Sequence, residues 1–404
     1  MVGWPWPRAV ALYDMNAYFA SVEQKDDTRL RGRPVAVTNG MYGRTVIACS
    51  YEAKREGVAT GMPWYEAIRR CPDLVRRPSR SERYQELSRR ILSELRREVT
   101  PDIEVFSIDE AFLDMTGVSH RYCDELACIR HIQSVIEKSS GLAASVGLSV
   151  NKTMSKYAAK KMRPRGLTVI APDQVTQALH ALPVGELCGI GPGIQKFFAR
   201  FGVRTCDQIE QMPVGILRQR FGYLGQRLWW MCHGVDPDPV KSHQKPDKTI
   251  GHSKVIAAHM QHPEGLRAVS LHLVQRLCHR LRVAGRLACR IHMGMRTCFG
   301  PLREDHVLSP ATNDPEVMYR LFCQFVMRGR GVSYIAITAV ELSTVTQQSL
   351  QLLSSTQERL KLIDRIQHRF GRSALQSARL LSLSLGSVIA PTWREDSGEP
   401  PSGS

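Results

Sequence analysis

The chain lacks the cysteine pattern of a metal site or a disulfide framework. Its 11 cysteines are scattered, and no Cys-x-x-Cys pair or Cys/His spacing of a zinc site occurs. It also lacks the roughly 20 consecutive apolar residues that a membrane span needs, and its N-terminal stretch has no long apolar core of a signal peptide. We therefore expect a soluble protein of a reducing, cytoplasmic compartment, with no membrane as partner.

Acidic residues are in short supply. The 38 Asp and Glu are outnumbered by 55 Lys and Arg, which gives a formal net charge of +17. A surface this basic neutralises phosphates and releases their counterions, so we expect a polyanionic partner. Ribosomal, membrane-surface and purely solubilising explanations of the charge stay open at this point. At 404 residues the chain is too long for one ordinary core, and two to four domains are expected.

Three of the few carboxylates stand in apolar surroundings. Asp109 and Glu110 interrupt the apolar run 106–113, and Asp14 ends a strand predicted at 9–14. Buried acids without partners are costly, so these side chains are expected to hold something cationic. Mg²⁺ prefers carboxylate oxygens, but adjacent residues on a regular strand point to opposite faces. The sequence therefore predicts a magnesium site, with a turn or bulge at the adjacent pair.

Hydrophobic periodicity divides the first 170 residues into strands and helices. Strands are predicted at 9–14, 34–37, 45–49, around the adjacent acids, and at 143–148. Helices are predicted at 17–24 with Asn16 as cap, at 81–99 and at 124–139. This mixture is typical of an α+β sandwich. Short helices follow as far as Gly234, then a polar, proline-bearing tether, and residues 250–344 have the order strand, helix, strand, strand, helix, strand.

Two segments closely resemble the signatures of Y-family translesion DNA polymerases. They are Asp-Met-Asn-Ala-Tyr-Phe-Ala-Ser-Val-Glu at 14–23 and Ser-Ile-Asp-Glu-Ala-Phe at 107–112, and the resemblance runs from about 9 to 344. It implies two bound Mg²⁺ ions, with Mn²⁺ as an alternative. The implied catalytic residues and metal ligands are Asp14, Asp109 and Glu110, with the main-chain carbonyl of Met15 as a further ligand.

The resemblance leaves the branch of the family open. Asn16 stands where many relatives have an acid. This residue and the pair Phe106-Ser107 make the sequence similar to the UmuC branch. That side chain is not a metal ligand in the family, so the departure does not threaten catalysis. UmuC-like and DinB-like behaviour both stay possible.

The resemblance also assigns residues to a deoxynucleoside triphosphate (dNTP) substrate. Phe19 matches the steric gate, a ring that fills the space a ribose 2′-hydroxyl would occupy. Tyr51 and Lys54 match the residues that hold the β- and γ-phosphates. Many relatives have Arg where Lys54 stands, so here the bidentate guanidinium is replaced by the point charge of an ammonium. Arg163 matches the basic residue that reaches the triphosphate. Thr45 and Ile47 match the residues that form the roof over the nascent base pair.

Several further features predict contacts with DNA and with a clamp. Residues 187–196 are typical of a helix-hairpin-helix, which offers backbone N–H groups and a helix N-terminus to a DNA phosphate irrespective of sequence. The residues assigned to DNA contact are Gly189, Gly191, Lys196, Arg276, Arg280 and Arg286; spread arginines favour backbone contact over base readout. Gln347, Leu350 and Leu352 belong to a peptide that resembles the one by which bacterial polymerases dock on the sliding clamp.

The resemblance implies an α+β multidomain fold with a ferredoxin-like palm, small fingers, a helical thumb with the helix-hairpin-helix, and an α/β little finger. The expected domains are the palm at 1–22 and 81–170, fingers at 23–80, thumb at 171–236, linker at 237–249, little finger at 250–344, and a tail at 345–404. The tail would hold the clamp peptide and a disordered end rich in Ser, Gly and Pro.

The expected activity is template-directed, low-fidelity DNA synthesis past lesions. A nucleotide would pass from a dNTP to a primer 3′-hydroxyl by two-metal transfer, and no proofreading exonuclease segment is recognisable. Expected partners are primer-template DNA, a sliding clamp and an accessory subunit of the UmuD type, at the nucleoid. Two alternatives stand beside this: a catalytically silent DNA- or clamp-binding factor, and another palm-fold nucleotidyl transferase such as a cyclase.

Overall fold

The computed structural model describes residues 4, 6–40, 43–210, 212–242, 247–344 and 354–370. The chain divides into two compact units, Met1–Gln244 and Lys245–Ser404. Both mix helices with β-sheet, so the predicted α+β class is confirmed. No helix in these ranges is long and apolar enough to cross a lipid bilayer.

The central sheet of the first unit has five strands in the order β5-β6-β1-β7-β8. Their bounds are β1 Val10–Met15, β5 Ile103–Val105, β6 Glu110–Asp114, β7 Ala144–Ser149 and β8 Leu167–Val169. Every residue of β1 and β7 is buried, because both faces of the sheet are covered, and these strands accordingly have nearly continuous apolar sequences. The middle position of β1 places its last residues at the centre of one edge of the unit.

Four helices belong to this part of the unit: α1 Tyr18–Asp26, α4 Ser81–Glu98, α5 Glu125–Ser140 and α6 Lys152–Lys161. Of these, α5 and α6 pack on the sheet, and α4 packs on α5. The apolar stripe of α4, which includes Leu87, Ile91 and Leu95, is buried as its helical spacing predicts. α5 begins after Asp124, whose carboxylate accepts a hydrogen bond from the Ala127 N–H. α6 packs directly on β1 and β7.

The predicted cap of α1 is wrong. The helix begins after Ala17, which adopts the left-handed conformation with φ 48°, and no side chain caps the helix. The polar groups of Asn16 are engaged elsewhere, as described for the candidate site. The other predicted strands and helices of this region lie within one or two residues of the observed bounds, except that Asp109 precedes its strand.

A small second sheet follows α1 in the chain. It has the strands β2 Val35–Thr38, β3 Val46–Cys49 and β4 Val75–Pro78, in the order β3-β2-β4. Two helices belong to it, α2 Tyr51–Arg55 and α3 Trp64–Arg70. The hydroxyl of Ser50 accepts a hydrogen bond from the Ala53 N–H and so fixes the start of α2.

A helical segment completes the first unit. Its helices are α7 Val175–Leu179, α8 Pro192–Arg200, α9 Cys206–Glu210, α10 Val214–Phe221 and α11 Tyr223–Cys232. They share a core that includes Phe198, Leu217 and Leu228. The start of the expected linker then lies against the central sheet: Val240 packs on the apolar cluster around Leu12.

The second unit contains the strand and helix order that the sequence predicts. Its elements are β9 Ile250–Val255, α12 Pro263–Val283, β10 Arg286–Thr297, β11 Gly300–Thr312, α13 Pro315–Met327, β12 Tyr334–Thr344 and α14 Ser354–Phe370. The sheet order is β11-β10-β12-β9, and α12 and α13 cover one face with a shared apolar core. Alternate residues of β10, including His292 and Arg296, are exposed on the other face, which we call the open face.

Gly147 of β7 allows α6 to approach the central sheet. A Cβ at this position would lie 2.2 Å from the Ala159 nitrogen and 2.4 Å from the Ser155 carbonyl oxygen. Both are main-chain atoms of the helix, so a side chain here must displace α6.

We predict that Gly147→Ala lowers the free energy of unfolding by about 1–3 kcal/mol through overpacking, measured by chemical denaturation. The matched control is Gly117→Ala, where a Cβ would meet no atom within 4 Å, and it should leave stability unchanged. Equal stabilities of the two variants would contradict the close packing of α6.

Candidate active site

The pairing of β1 with β6 brings the three predicted acids together. Asp14 and Glu110 are register partners across the two antiparallel strands, and the Met15 N–H donates to the Asp109 carbonyl over 2.9 Å. Asp109 lies immediately before β6, in a turn that is closed by the N–H groups of Phe106 and Ser107 donating to the Glu110 carbonyl. The chain therefore bends at the adjacent acids, where the sequence predicts a turn or bulge.

Two cationic side chains neutralise these carboxylates. The Lys156 ammonium of α6 lies 2.8 Å and 2.9 Å from the two Glu110 oxygens, and Arg163 forms an ion pair with the nearly buried Asp14. Burial raises the pKa of the Glu110 carboxyl, and the Lys156 charge opposes that rise. Burial also lowers the pKa of the Arg163 guanidinium. The site is thus a compensated cluster of buried charges.

The donor set fits a hard divalent cation in its chemistry. Asp14 and Glu110 are paired across β1 and β6 and Asp109 is adjacent to Glu110, and Mg²⁺ prefers carboxylate oxygens as ligands. In this arrangement, however, the described residues include no group of three His, Cys, Asp or Glu side chains placed to hold a metal ion. Because Arg163 and Lys156 contact the same carboxylate oxygens, a divalent cation would compete with them.

Asn16 joins the acid-bearing strand to the loop that carries Arg163. Its Nδ2 donates to the Ser145 hydroxyl over 3.0 Å, and its Oδ1 accepts from the Arg165 N–H over 2.8 Å. Burial raises the pKa of the Tyr51 phenol, and a hydrogen bond with Asn16 opposes that rise. The sequence suggested a helix cap here and missed this role, because the partners lie far away in the chain.

Phe19 rests on a second aromatic ring that the sequence analysis did not single out. Its ring is stacked on that of Tyr84, with centroids 4.2 Å apart and an angle of 11°. The Tyr84 hydroxyl donates to the buried Glu23 over 2.7 Å, and Arg80 contacts the same carboxylate. The ring of Phe19 therefore packs against a Tyr84 ring that is itself held by a hydrogen bond. The helical spacing of α4 could have indicated that Tyr84 is buried beside its apolar stripe.

The C-terminal end of α1 is tied to neighbouring elements by ion pairs. Asp26 contacts Arg80 and Arg83 of the α4 region, and Asp27 contacts Arg77 of β4 at 2.6 Å. α1 thus links the acid-bearing strand at one end with the small sheet at the other.

The residues assigned to the nucleotide lie on the small sheet and its first helix. Tyr51 begins α2, and the Lys54 ammonium lies 4.5 Å from the centroid of its ring. Ile47 is a half-buried residue of β3, and Thr45 is exposed and pairs with Pro63 in an isolated β-bridge.

The candidate helix-hairpin-helix is open to an approaching ligand. Gly189 has φ 93°, Gly191 precedes α8, and a Cβ at either position would meet no atom within 4 Å. Lys196 of α8 is exposed. In place of a first helix, the structure has the 3-10 turn Val184–Glu186.

The arginines predicted to contact DNA do not share one surface. Arg276 and Arg280 belong to α12, which covers the opposite side of the sheet from the open face, and Arg280 lies near Asp247. Arg286 is the first residue of β10. The alternation of β10 and β11 instead puts Arg296 and Arg303 on the open face. Sequence reasoning missed these two, although the period of two along β10 was a usable signal.

Three predictions from the sequence concern residues outside the described ranges. The clamp peptide residues Gln347, Leu350 and Leu352, the middle of the expected linker, and the predicted disordered end all lie there.

Three family models match the chain. Residues 13–160 match the model described as the impB/mucB/samB family, residues 247–352 match the C-terminal domain of that family, and residues 185–236 match a model described as the thumb domain of DNA polymerase iota. The matched segments fall in both compact units and include all three acids.

Individual relatives are similar over most of the chain. A protein named DNA polymerase IV from Moorella thermoacetica is 37% identical over 292 residues, 71% of this chain and 73% of its own. The protein of that name from Legionella pneumophila (strain Corby) is 30% identical over 348 residues, 85% of this chain and 98% of its own. The protein of that name from Pelotomaculum thermopropionicum is 29% identical over 401 residues, 96% of this chain and 98% of its own.

The fold, the acid-bearing sheet and these matches together define the class, a multidomain nucleic-acid polymerase. Within that class, the chain belongs to the Y family of translesion DNA polymerases.

We predict that Asn16→Ala lowers the free energy of unfolding by about 1–3 kcal/mol, because the Arg165 N–H loses its acceptor. The loosened loop should also raise the KM for dNTP through misplacement of Arg163. Thermal unfolding and single-nucleotide kinetics measure the two effects. Gln219→Ala, at an exposed position of α10, serves as the control, and a variant at Asn16 with wild-type KM would contradict this role.

Proposed function

We propose that this protein is a template-directed DNA polymerase of low fidelity, which extends primers past lesions by transferring a nucleotide from a dNTP to a primer 3′-hydroxyl. The observation that carries the proposal is the β1–β6 register, which gathers Asp14, Asp109 and Glu110 in a chain of net charge +17. The intact acids argue against a silent binding factor, and the basic second unit argues against a cyclase.

Divalent metal ions belong to this chemistry. Two Mg²⁺ ions, or Mn²⁺ in their place, would lower the pKa of the 3′-hydroxyl and stabilise the departing pyrophosphate. The residues that would hold them are Asp14, Asp109 and Glu110, with the main-chain carbonyl of Met15. The remaining steps described below belong to the protein's own side chains.

Arg163 exchanges partners when the substrate binds. Its guanidinium forms an ion pair with Asp14, and a triphosphate offers it several anionic oxygens in bidentate geometry. Movement of Arg163 to the triphosphate would free the Asp14 carboxylate, while Lys156 holds Glu110 in position. Substrate binding and exposure of the catalytic acid are thereby coupled.

The other nucleotide contacts come from α1 and the small sheet. Tyr51 and Lys54 hold the β- and γ-phosphates, and Thr45 and Ile47 form a small roof that leaves space for a damaged template base. Phe19 excludes a ribose 2′-hydroxyl, and its stacking on Tyr84 supports this role because the ring cannot retreat from the added oxygen.

We assign the central sheet with α1 and α4–α6 to the palm, the small sheet to the fingers, the helical segment to the thumb, and residues 250–344 to the little finger. Gly189, Gly191 and Lys196 of the thumb contact a DNA phosphate. In the little finger, the open face with Arg296 and Arg303 supports backbone contact better than Arg276 and Arg280 do.

The proposed partners are primer-template DNA at the nucleoid, the sliding clamp, and an accessory subunit of the UmuD type. The clamp would be bound through Gln347, Leu350 and Leu352. The relatives described above are all named DNA polymerase IV, which favours behaviour of that kind for this chain.

We predict that Asp109→Ala reduces the rate of single-nucleotide primer extension by about 10²–10³-fold or more, because a charge that stabilises the transition state is lost. Rapid-quench assays with a radiolabelled primer measure this rate. Binding of the primer-template should be retained. Asp102→Ala removes an exposed carboxylate beside the opposite end of β6 and should leave the rate unchanged, whereas full activity of Asp109→Ala would refute the assigned site.

We predict that Phe19→Ala lowers the preference for dNTP over ribonucleotides by roughly 10–100-fold, the scale of steric discrimination by a pocket. The ratio of kcat/KM for dCTP and CTP opposite template G measures the change. Phe19→Leu should give an intermediate ratio, and Tyr84→Ala a smaller shift than Phe19→Ala because the gate loses only its support. An unchanged ratio in Phe19→Ala would remove the gate assignment.

A further inference from the structure

One end of the second unit displays an aromatic ring to solvent. Phe299, at the turn between β10 and β11, is 84% exposed, more than any other large hydrophobic side chain of the described residues. Exposed apolar surface of this size is unfavourable in water unless a ligand covers it for part of the time.

The turn that carries Phe299 is held rigidly. The Thr297 hydroxyl donates to the Gly300 carbonyl over 2.9 Å and accepts from the Phe299 N–H over 3.1 Å. The Cys298 N–H donates to the Arg330 carbonyl over 3.2 Å, so the turn is bound to the loop between α13 and β12. A ring on a fixed support loses little conformational entropy when a ligand stacks on it.

The surroundings of the ring are positively charged. Arg296 of β10, Arg303 of β11 and Arg330 of the neighbouring loop are all exposed, and within the described ranges none of their side chains forms a hydrogen bond or an ion pair. The acids close by in sequence are already engaged, since Glu304 pairs with Arg328 and Asp305 with His292. The ring is thus accompanied by uncompensated guanidinium groups.

We propose that Phe299, Arg296, Arg303 and Arg330 form a binding site for single-stranded DNA, which we call the tip site. A base would stack on the Phe299 ring while the arginines contact the flanking phosphates. Duplex DNA fits less well, because its bases are stacked on one another and offer no free face to a ring. The tip site deepens the proposed function, on which it rests for the choice of DNA as the ligand.

The test measures binding of the full-length protein to a fluorescently labelled 12-nucleotide oligo-dT and to a DNA hairpin whose stem is closed at both ends by polyethylene glycol linkers, so that it has neither unpaired bases nor an open end. Phe299→Ala should raise the Kd for oligo-dT about tenfold, the usual loss of one stacked base, and change the Kd for the hairpin much less. Phe299→Trp should retain the affinity. Phe370→Ala removes another exposed Phe, 66% exposed at the end of α14, and should have no effect.

A charge variant provides an independent arm. Arg330→Ala should weaken oligo-dT binding and reduce the slope of log K against log salt by about one. The tip site is refuted if Phe299→Ala, shown to be folded by its melting temperature, binds oligo-dT as the wild type does. It is equally refuted if the variant loses affinity for the hairpin and oligo-dT alike, or if it instead loses binding to a protein partner.

Failure of the tip site is distinguishable from failure of the proposed function. With saturating primer-template, Phe299→Ala should extend primers at the wild-type rate, because excess substrate offsets the weaker binding and the proposed chemistry assigns no role to this ring. A wild-type protein that extends primers while Phe299→Ala binds oligo-dT normally would overturn the tip site alone. A wild-type protein that fails to extend primers, with weakened oligo-dT binding in Phe299→Ala, would overturn the polymerase and leave the tip site standing.

Discussion

The antiparallel pairing of β1 with β6 is the constraint on which the catalytic unit depends. It sets Asp14 opposite Glu110 and, through the Met15 N–H and the Asp109 carbonyl, fixes the turn that adds the third acid. A shift of one residue in this register would turn every side chain of β6 to the other face. The buried apolar residues of both strands resist such a shift, so the hydrophobic pattern secures the position of the polar groups.

The same site shows how a basic protein keeps acids buried. Lys156 and Arg163 compensate Glu110 and Asp14, and both cations come from α6 and the loop after it. The close approach of α6 across Gly147 therefore matters electrostatically as well as sterically. The packing of the sheet, the compensation of the acids and the proposed exchange of partners by Arg163 all depend on the position of α6.

Local patterns in the sequence predicted much of this fold. The helical stripe of α4 and the apolar runs of β1 and β7 were sufficient because they are long and regular. β4 and β5 were not indicated, since Val-Arg-Arg-Pro and a three-residue strand carry too little periodicity. The acids of the site came from their apolar context and from the family resemblance. Asn16 and Tyr84 were misjudged or missed because their roles depend on partners distant in the chain. The open-face arginines were missed although the period of two along β10 was a usable signal.

The helix α1 connects Phe19, the proposed steric gate, to the small sheet. One end continues from the strand that bears Asp14, and the other is bound through Asp27 to Arg77 of the small sheet. Phe19 lies between these two attachments, with Tyr84 beneath it. Any rotation of the small sheet against the central sheet must therefore bend or displace this helix. The exclusion of a ribose 2′-hydroxyl that we propose for Phe19 would then change with the angle between the two sheets.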